Sequence, residues 1–445
     1  MKHLPLISRH GLDDTLAWRH DGPVSVRRFL AEAAALAARL PDGDWLLNLC
    51  TDRYRFAVGF VAGLLAGKTS LQPASQSAET LARIDTAYPG CCCLRDGAFA
   101  TGTLPCVDYP DLSAASPETV AEIPEIAAER VVAILFTSGS TGLPQAHCKT
   151  WGKLVANALA GASTLGLLET PMNIVGTVPA QHSFGFESTF LLALHGGCSF
   201  WAGKPFYPQD IVNALAALPR PRLLVTTPFH LSTLLAAELP LPPVDLLLSA
   251  TAPLSAELAG RAEAACGAPV REIYGSTESG QLASRRTVDG ARWHLLPGVD
   301  LSQDGDVIYA ENGHVEGRIA LSDRIERHAD GSFTLLGRHS DLINIAGKRT
   351  SLAWLDHQIA SIDGVVDAAF FLPDEADDTA ITRLAAFVVA PTLSPARLLA
   401  ALRQRLDPIF LPRPLVMLES LPRNTTGKLP RQALQALYEA RRKND

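Results

Sequence analysis

Charged side chains are scarce, at 19% of the 445 residues, against a hydrophobic fraction of 47%. Such a balance excludes a disordered chain and suits a folded enzyme. The excess of positive charge that a non-specific nucleic-acid binder needs is missing too, because the formal net charge is −7. No run of eighteen apolar residues occurs, so no membrane span is expected. The opening MKHLPLISRHGLDD lacks the apolar stretch of a secretory signal, and the expected location is cytoplasmic. Eight cysteines in a chain of this size do not make a disulfide framework. Cys91, Cys92 and Cys93 are consecutive, and neighbours along a strand point to opposite faces, so they do not converge on one metal. The twelve histidines fall in no HExxH or CxxC…CxxC pattern, and no zinc site is expected. The Walker pattern GxxxxGK[ST] is absent as well.

What the chain does have is centred on Val131–Gly142, VVAILFTSGSTG. Its apolar, β-branched half reads as a buried strand. The strand runs into Thr137, Ser138, Gly139, Ser140, Thr141 and Gly142, which offer backbone N–H groups and hydroxyls with no bulk to hold an anion away. On composition the segment reads equally as a phosphate cradle or as a mobile Ser/Gly turn.

The length calls for two or three domains. Helices are expected over 23–40, 53–65, 151–165 (capped by Thr150), 187–194 and 208–218. Strands are expected over 45–50, 68–72, 173–178, 198–201, 223–227, 246–249 and 270–274. Strands alternating with helices indicate an α/β fold of layered sheets, with ligands at the carboxyl ends of the strands. Between Asp300 and Gly337 short strand-like pieces carry closely spaced turn residues, which indicates a β-rich subdomain. A small α+β domain follows, with the boundary at Arg338–Asp341, giving domains 1–338 and 339–445.

Four segments in order complete the pattern: TSGSTG at 137–142; Tyr274-Gly275-Ser276-Thr277-Glu278; Asp323 with Gly337-Arg338, Asp341 and Gly347-Lys348-Arg349; and PRNTTGK ending at Lys428. Together they resemble the ANL superfamily of adenylating enzymes, which holds acyl- and aryl-CoA synthetases, peptide-synthetase adenylation domains and luciferases. The resemblance covers residue 130 to the end. It implies an enzyme that joins a carboxylate to ATP, releases pyrophosphate, and passes the acyl group from the adenylate to a thiol. ATP and Mg²⁺ would be the cofactors, and the acceptor would be CoA or the phosphopantetheine of a separate acyl carrier protein. The organic acid would be aromatic or apolar.

The resemblance also implies roles. The 137–142 loop would cradle the β- and γ-phosphates, Thr277 would touch the α-phosphate, and Glu278 would hold Mg²⁺. Ala250, Thr251 and Ala252 would meet adenine, with Tyr274 and Gly275 on its other side. Asp323 would bind the ribose hydroxyls and Arg338 ribose or phosphate oxygens. Lys428 would neutralise charge during attack. His182 would stand beside the carboxylate, with Phe184, Phe186 and Phe229 lining the acyl pocket. For thioester formation the small C-terminal domain would be mobile, pivoting at Ser340 and bringing the Gly347 loop to a pantetheine tunnel. Bland readings stand beside these: a solvated Glu278, a turn Asp323, a surface Lys428, a structural His182 and core phenylalanines. Two departures bear on activity. Gln145 replaces the lysine that usually follows the loop, and LSDR before and around Asp323 lacks the fuller TGD. They keep open the alternative of a catalytically idle nucleotide- or acyl-binding regulator of the same fold.

Overall fold

Asp52 accepts a hydrogen bond from Arg55 N at 2.8 Å and so caps the helix Arg53–Leu65, at the bounds its apolar spacing indicates. The buried face of that helix carries Phe56 and Phe60. Both meet Phe186 and Phe190 edge to face, with ring centroids 5.2 to 6.4 Å apart. The helix expected over 23–40 begins later: Gly22–Ser25 is a strand paired with Thr15–Arg19, and Ser25 caps the helix Val26–Ala37. Pro23 is tolerated because this strand forms a sheet edge.

This computed structural model describes every residue except 1, 74–75, 99–101, 103, 139–143, 306, 339–341, 346–347, 374–383, 425–428 and 443–445. Two compact units are present, Met1–Ala320 and Leu321–Asp445. No described helix is long and apolar enough to cross a membrane.

In the first unit the strand Val131–Ser138 belongs to a sheet ordered Pro144–Thr150, Val131–Ser138, Thr69–Gln72, Trp45–Asn48, Cys92–Arg95, Cys106–Asp108. All neighbours are parallel except the first pair. The strand Pro144–Thr150 carries only a weak sequence signal, since the alternation in PQAHCKT rests on the small residues Ala146 and Cys148, with no β-branched or aromatic side chain before Thr150. Its ladder sets Gln145 opposite Thr137, His147 opposite Leu135 and Lys149 opposite Ala133. Cys91 and Cys93 pack in one apolar cluster and Cys92 in another, the two-faced arrangement a strand imposes.

A second, mixed sheet of the first unit runs Arg292–Leu295, Gly280–Arg286, Val270–Ser276, Leu246–Ser249, Arg222–Thr226, Asn173–Gly176, Ser199–Trp201, Thr15–Arg19 and Gly22–Ser25. From Val270–Ser276 to Thr15–Arg19 its strands are parallel, so Ser276, Ser249, Thr226 and Gly176 end on one edge. A small antiparallel sheet of Asp300–Asp304, Val307–Glu311 and Arg318–Ala320 accounts for part of the β-rich region. The second unit contains the hairpin Asp323–Arg327 with Phe333–Arg338 and the pair Leu342–Ile345 with Lys348–Ser351. It also holds a sheet of Asp367–Phe371, Ala385–Val389 and Leu415–Met417, packed with the helices Leu352–Ala360 and Pro395–Arg403.

One buried ion pair ties the mixed sheet together. Glu272 is 3% exposed; its Oε2 lies 2.7 Å from Arg285 Nη2 and accepts from Thr287 Oγ1 at 2.9 Å. Its Oε1 accepts from Leu254 N at 3.1 Å, which pins the chain leaving the strand Leu246–Ser249. Glu272→Ala would leave the Arg285 guanidinium without its counter-charge and cost about 3–5 kcal/mol. Urea unfolding checks this, and a loss below about 1 kcal/mol, the range of exposed pairs, would show that the pair is not holding the sheet.

Candidate active site

The segment Ser276–Ser279 links the antiparallel strands Val270–Ser276 and Gly280–Arg286, so Tyr274, Gly275 and Ser276 lie within a strand rather than just beyond it. A Cβ on Gly275 would fall 2.2 Å from Gly280 O, so only glycine permits this crossing. Ser276 N donates to Ser279 Oγ and Ser279 N to Ser276 Oγ, each at 3.2 Å. This reciprocal turn presents Thr277 and Glu278.

Glu278 meets the strand Pro144–Thr150 twice. Lys149 Nζ donates to its carbonyl oxygen at 2.7 Å, and His147 Nε2 stands 3.7 Å from its carboxylate. The same His147 nitrogen is 3.0 Å from Thr137 Oγ1. Thr137, His147 and Glu278 thus form a polar line from the strand that feeds the glycine loop to the acidic turn. Burial alone would raise the Glu278 carboxyl. The Ser276 hydroxyl, its own backbone N–H and the charges of His147 and Lys149 outweigh that and hold it below its ordinary value. Burial lowers His147, with Glu278 pulling up and Lys149 pushing down. The outcome is an ionised carboxylate with its side chain 34% exposed.

His182 Nδ1 accepts from Phe184 N at 3.2 Å and caps the short turn Ser183–Gly185, which assigns the ring proton to Nε2. Ser183 Oγ lies 3.3 Å from Thr277 Oγ1, which brings the His182 turn to the acidic turn. Gln181 donates to Cys50 O, fixing the turn from the other side. The chain then continues as the π-helical stretch Phe186–Leu191 and the α-helical turn Leu192–Gly196, so the helix expected over 187–194 is present, with π geometry over its first part. Phe184 and Phe186 are buried, the latter wholly within the aromatic cluster of Phe56, Phe60 and Phe190, a core position. Phe229 is exposed beside His230, on another helix.

Beyond the strand Leu246–Ser249 come Ala250, Thr251 and Ala252. Thr251 has φ of +80°, a left-handed conformation that a β-branched residue rarely adopts. Strain of this kind concentrates at functional sites. Tyr274 is half-buried, tilted against Trp293 at 5.7 Å. In the second unit the ladder sets Asp323 directly opposite Arg338, next to Gly337 at φ +101°. Ser138 ends its strand, while Gly139, Ser140, Thr141, Gly142, Ser340, Gly347 and Lys428 lie outside the described residues. Thr150 sits at its helix start as expected, but its hydroxyl donates to Glu316 Oε1 at 2.8 Å and makes no capping bond.

His147, Lys149 and Glu187 escaped the sequence reading. A period of two in QAHCKT places 145, 147 and 149 on one face, but only if a strand is already assumed. Glu187 is 4% exposed, and burial lifts its carboxyl to about 7 against the opposing pull of Lys149.

An ionised carboxylate, hydroxyls and a strained loop thus lie at the carboxyl ends of parallel strands in a large α/β unit, the edge at which open α/β sheets bind ligands. The chain belongs to the AMP-binding enzyme family, whose sequence profile matches residues 68–304, and is an AMP-forming acid–thiol ligase of the ANL superfamily. It is 30% identical over 280 residues to a 4-coumarate–CoA ligase of Rhodobacter capsulatus, covering 63% of this chain and 68% of that one. A 4-chlorobenzoate–CoA ligase of Arthrobacter sp is 26% identical over 345 residues, covering 68% of this chain and 65% of the relative. ATP-bound MatB from Rhodopseudomonas palustris shares the fold, with a TM-score of 0.80, 22% identity and 96% of both chains covered. So does o-succinylbenzoate coenzyme A synthetase from Bacillus subtilis in complex with ATP and magnesium, with a TM-score of 0.81, 20% identity and coverage of 97% and 99%.

Two outcomes follow from this geometry. Thr251→Gly relieves the backbone strain and raises stability by about 1 kcal/mol; a lowered unfolding midpoint would contradict the strain. For Glu187 the folded value near 7 exceeds the ordinary 4.5, so its burial costs nothing at low pH and destabilises progressively as pH rises from 4.5 to 7. The midpoint difference between Glu187→Gln and the parent therefore grows over that window and is flat above it. Thermal melts across pH would refute this by showing a constant difference.

Proposed function

We propose that the chain adenylates an aromatic or apolar organic acid and transfers the acyl group to a phosphopantetheine thiol, of CoA or of a separate acyl carrier protein. The observation that carries this reading is the polar line Thr137–His147–Glu278, with Thr277 held to the His182 turn by Ser183. One anion attacks another in the first step, so the site must gather donors and positive charge where the phosphates lie. A carboxylate oxygen attacks the α-phosphorus as the bond to pyrophosphate breaks. The thiolate then attacks the acyl carbon, and AMP leaves with the bridging oxygen.

The residues fit magnesium: Glu278 is one ionised, partly exposed carboxylate, and Mg²⁺ favours one or two carboxylates plus phosphate oxygens. Bound there, it would neutralise phosphate charge. In this reading Thr137, Ser138, Gly139, Ser140, Thr141 and Gly142 bind phosphates, and Ala250, Thr251, Ala252, Tyr274 and Gly275 hold adenine. Asp323 and Arg338 hold ribose, and Lys428 balances charge at the attacked phosphorus. His182 orients the carboxylate, with Phe184 and Phe229 toward the acyl group. Ser340 and Gly347 serve the second half-reaction. The names of the 4-coumarate and 4-chlorobenzoate relatives support an aromatic acid and CoA as acceptor.

Carboxylate-dependent ATP–pyrophosphate exchange across benzoates, cinnamates and fatty acids tests the proposal. Exchange with one acid class that falls at least about a hundredfold in Lys428→Ala supports it, a loss typical of removing one charge-stabilising group. Measurable ATP binding with no exchange for any acid would overturn it and leave a nucleotide-binding regulator.

A further inference from the structure

Gln145 is exposed at the position where a lysine is usual, yet the same strand face carries a cation two steps further on. Lys149 is 4% exposed, an uncommon place for an ammonium group. Its hydrogen bond is not to a carboxylate but to the backbone carbonyl of Glu278, at 2.7 Å. Its counter-charge comes from Glu187, Glu316 and Glu278, Glu187 the most, and Lys149 and Glu187 line one cavity of about 10 Å³, together with Asn157, Ser279, Gly280 and His314. Glu187 Oε1 and Asn157 Oδ1 have no hydrogen-bond partner among the described residues. Glu187 reaches this place from the π-helical turn Phe186–Leu191, a geometry common at functional sites.

A buried ammonium with a buried carboxylate costs several kcal/mol of desolvation that an apolar pair would avoid. Packing alone therefore does not account for the pair. What the ammonium does is hold one carbonyl, and that carbonyl belongs to the residue whose carboxylate faces His147. With the backbone of Glu278 pinned and the Ser276–Ser279 hydroxyls closing the turn, the carboxylate has little freedom except its own side-chain rotations.

We propose that Lys149 is a positioning residue for metal-dependent nucleotide binding: its ammonium, in the buried cavity it shares with Glu187, fixes the Glu278 backbone so that the Glu278 carboxylate is aimed at the metal of the bound nucleotide. This rests on the reading of Glu278 as the magnesium carboxylate. In this role Lys149 acts through the Glu278 carbonyl it holds. The cation at 149 serves orientation, a different task from the direct phosphate contact of a lysine at 145.

The test is ATP affinity by titration calorimetry, with Mg²⁺ and with EDTA, on the full chain and its Glu278→Gln, Lys149→Met and Lys149→Arg variants. The expected result is a gain in affinity from Mg²⁺, taken as the ratio of the two titrations within each variant, that falls at least tenfold in Glu278→Gln and in Lys149→Met. Lys149→Arg keeps the charge but displaces the donor and loses two- to fivefold. A Lys149→Met variant that keeps the parent's Mg²⁺ gain while Glu278→Gln loses it overturns the positioning role alone. A Glu278→Gln variant that keeps the gain overturns the Glu278 reading and this inference with it. If Lys149→Met does not fold, Lys149→Arg decides, and an unchanged Mg²⁺ gain in it refutes the proposal.

Discussion

The antiparallel pairing of Val131–Ser138 with Pro144–Thr150 is the constraint on which the site depends. Because strand side chains alternate with a period of two, this one register puts His147 and Lys149 on the same face, toward the turn that holds Glu278. A slip by one residue would carry Cys148 to that face and turn both basic side chains away. The same ladder sets Gln145 beside Thr137, on the flank of residues 139–143. Every polar contact between the loop strand and the acidic turn descends from that register.

Around this pairing the charges are distributed economically. Glu278 is held below its ordinary value by the Ser276 hydroxyl, its own backbone N–H and the charges of His147 and Lys149, while burial lowers His147 in turn. The mixed sheet supplies a second anchor: Glu272 grips Arg285, Thr287 and Leu254 N, holding the far end of the strained Ala250–Pro253 segment. Both turns are thus tied at the backbone, one by a buried cation and the other by a buried anion. Such preorganisation is what a reaction between two anions requires, since donors already in place need not reorganise as charge moves.

Much of this was legible in the sequence. Arg53–Leu65 and Leu246–Ser249 fall at their expected bounds, since capping by Asp52 and a short apolar run are local signals. Ser138 and the Ser276–Ser279 turn lie where strands end, because strand–turn grammar is local as well. What was not legible is tertiary. In PQAHCKT the period of two rests on Ala146 and Cys148, with no β-branched or aromatic residue before Thr150, and the pairing with Val131–Ser138 makes it a strand, so His147 and Lys149 stayed hidden. Phe186 reads equally as pocket or core until Phe56 and Phe60 are seen to enclose it. The left-handed Thr251 and the π-helical turn leave no mark in residue type at all.

The central claim is that a carboxylate oxygen attacks the α-phosphorus. The most direct measurement is mass spectrometry of the AMP released when an acid labelled with heavy oxygen in its carboxylate is turned over with ATP and a thiol acceptor. Attack at the α-phosphorus followed by acyl transfer leaves one carboxylate oxygen on AMP, so the nucleotide gains one label. AMP that forms without label, or a label found on released phosphate instead, would contradict adenylation.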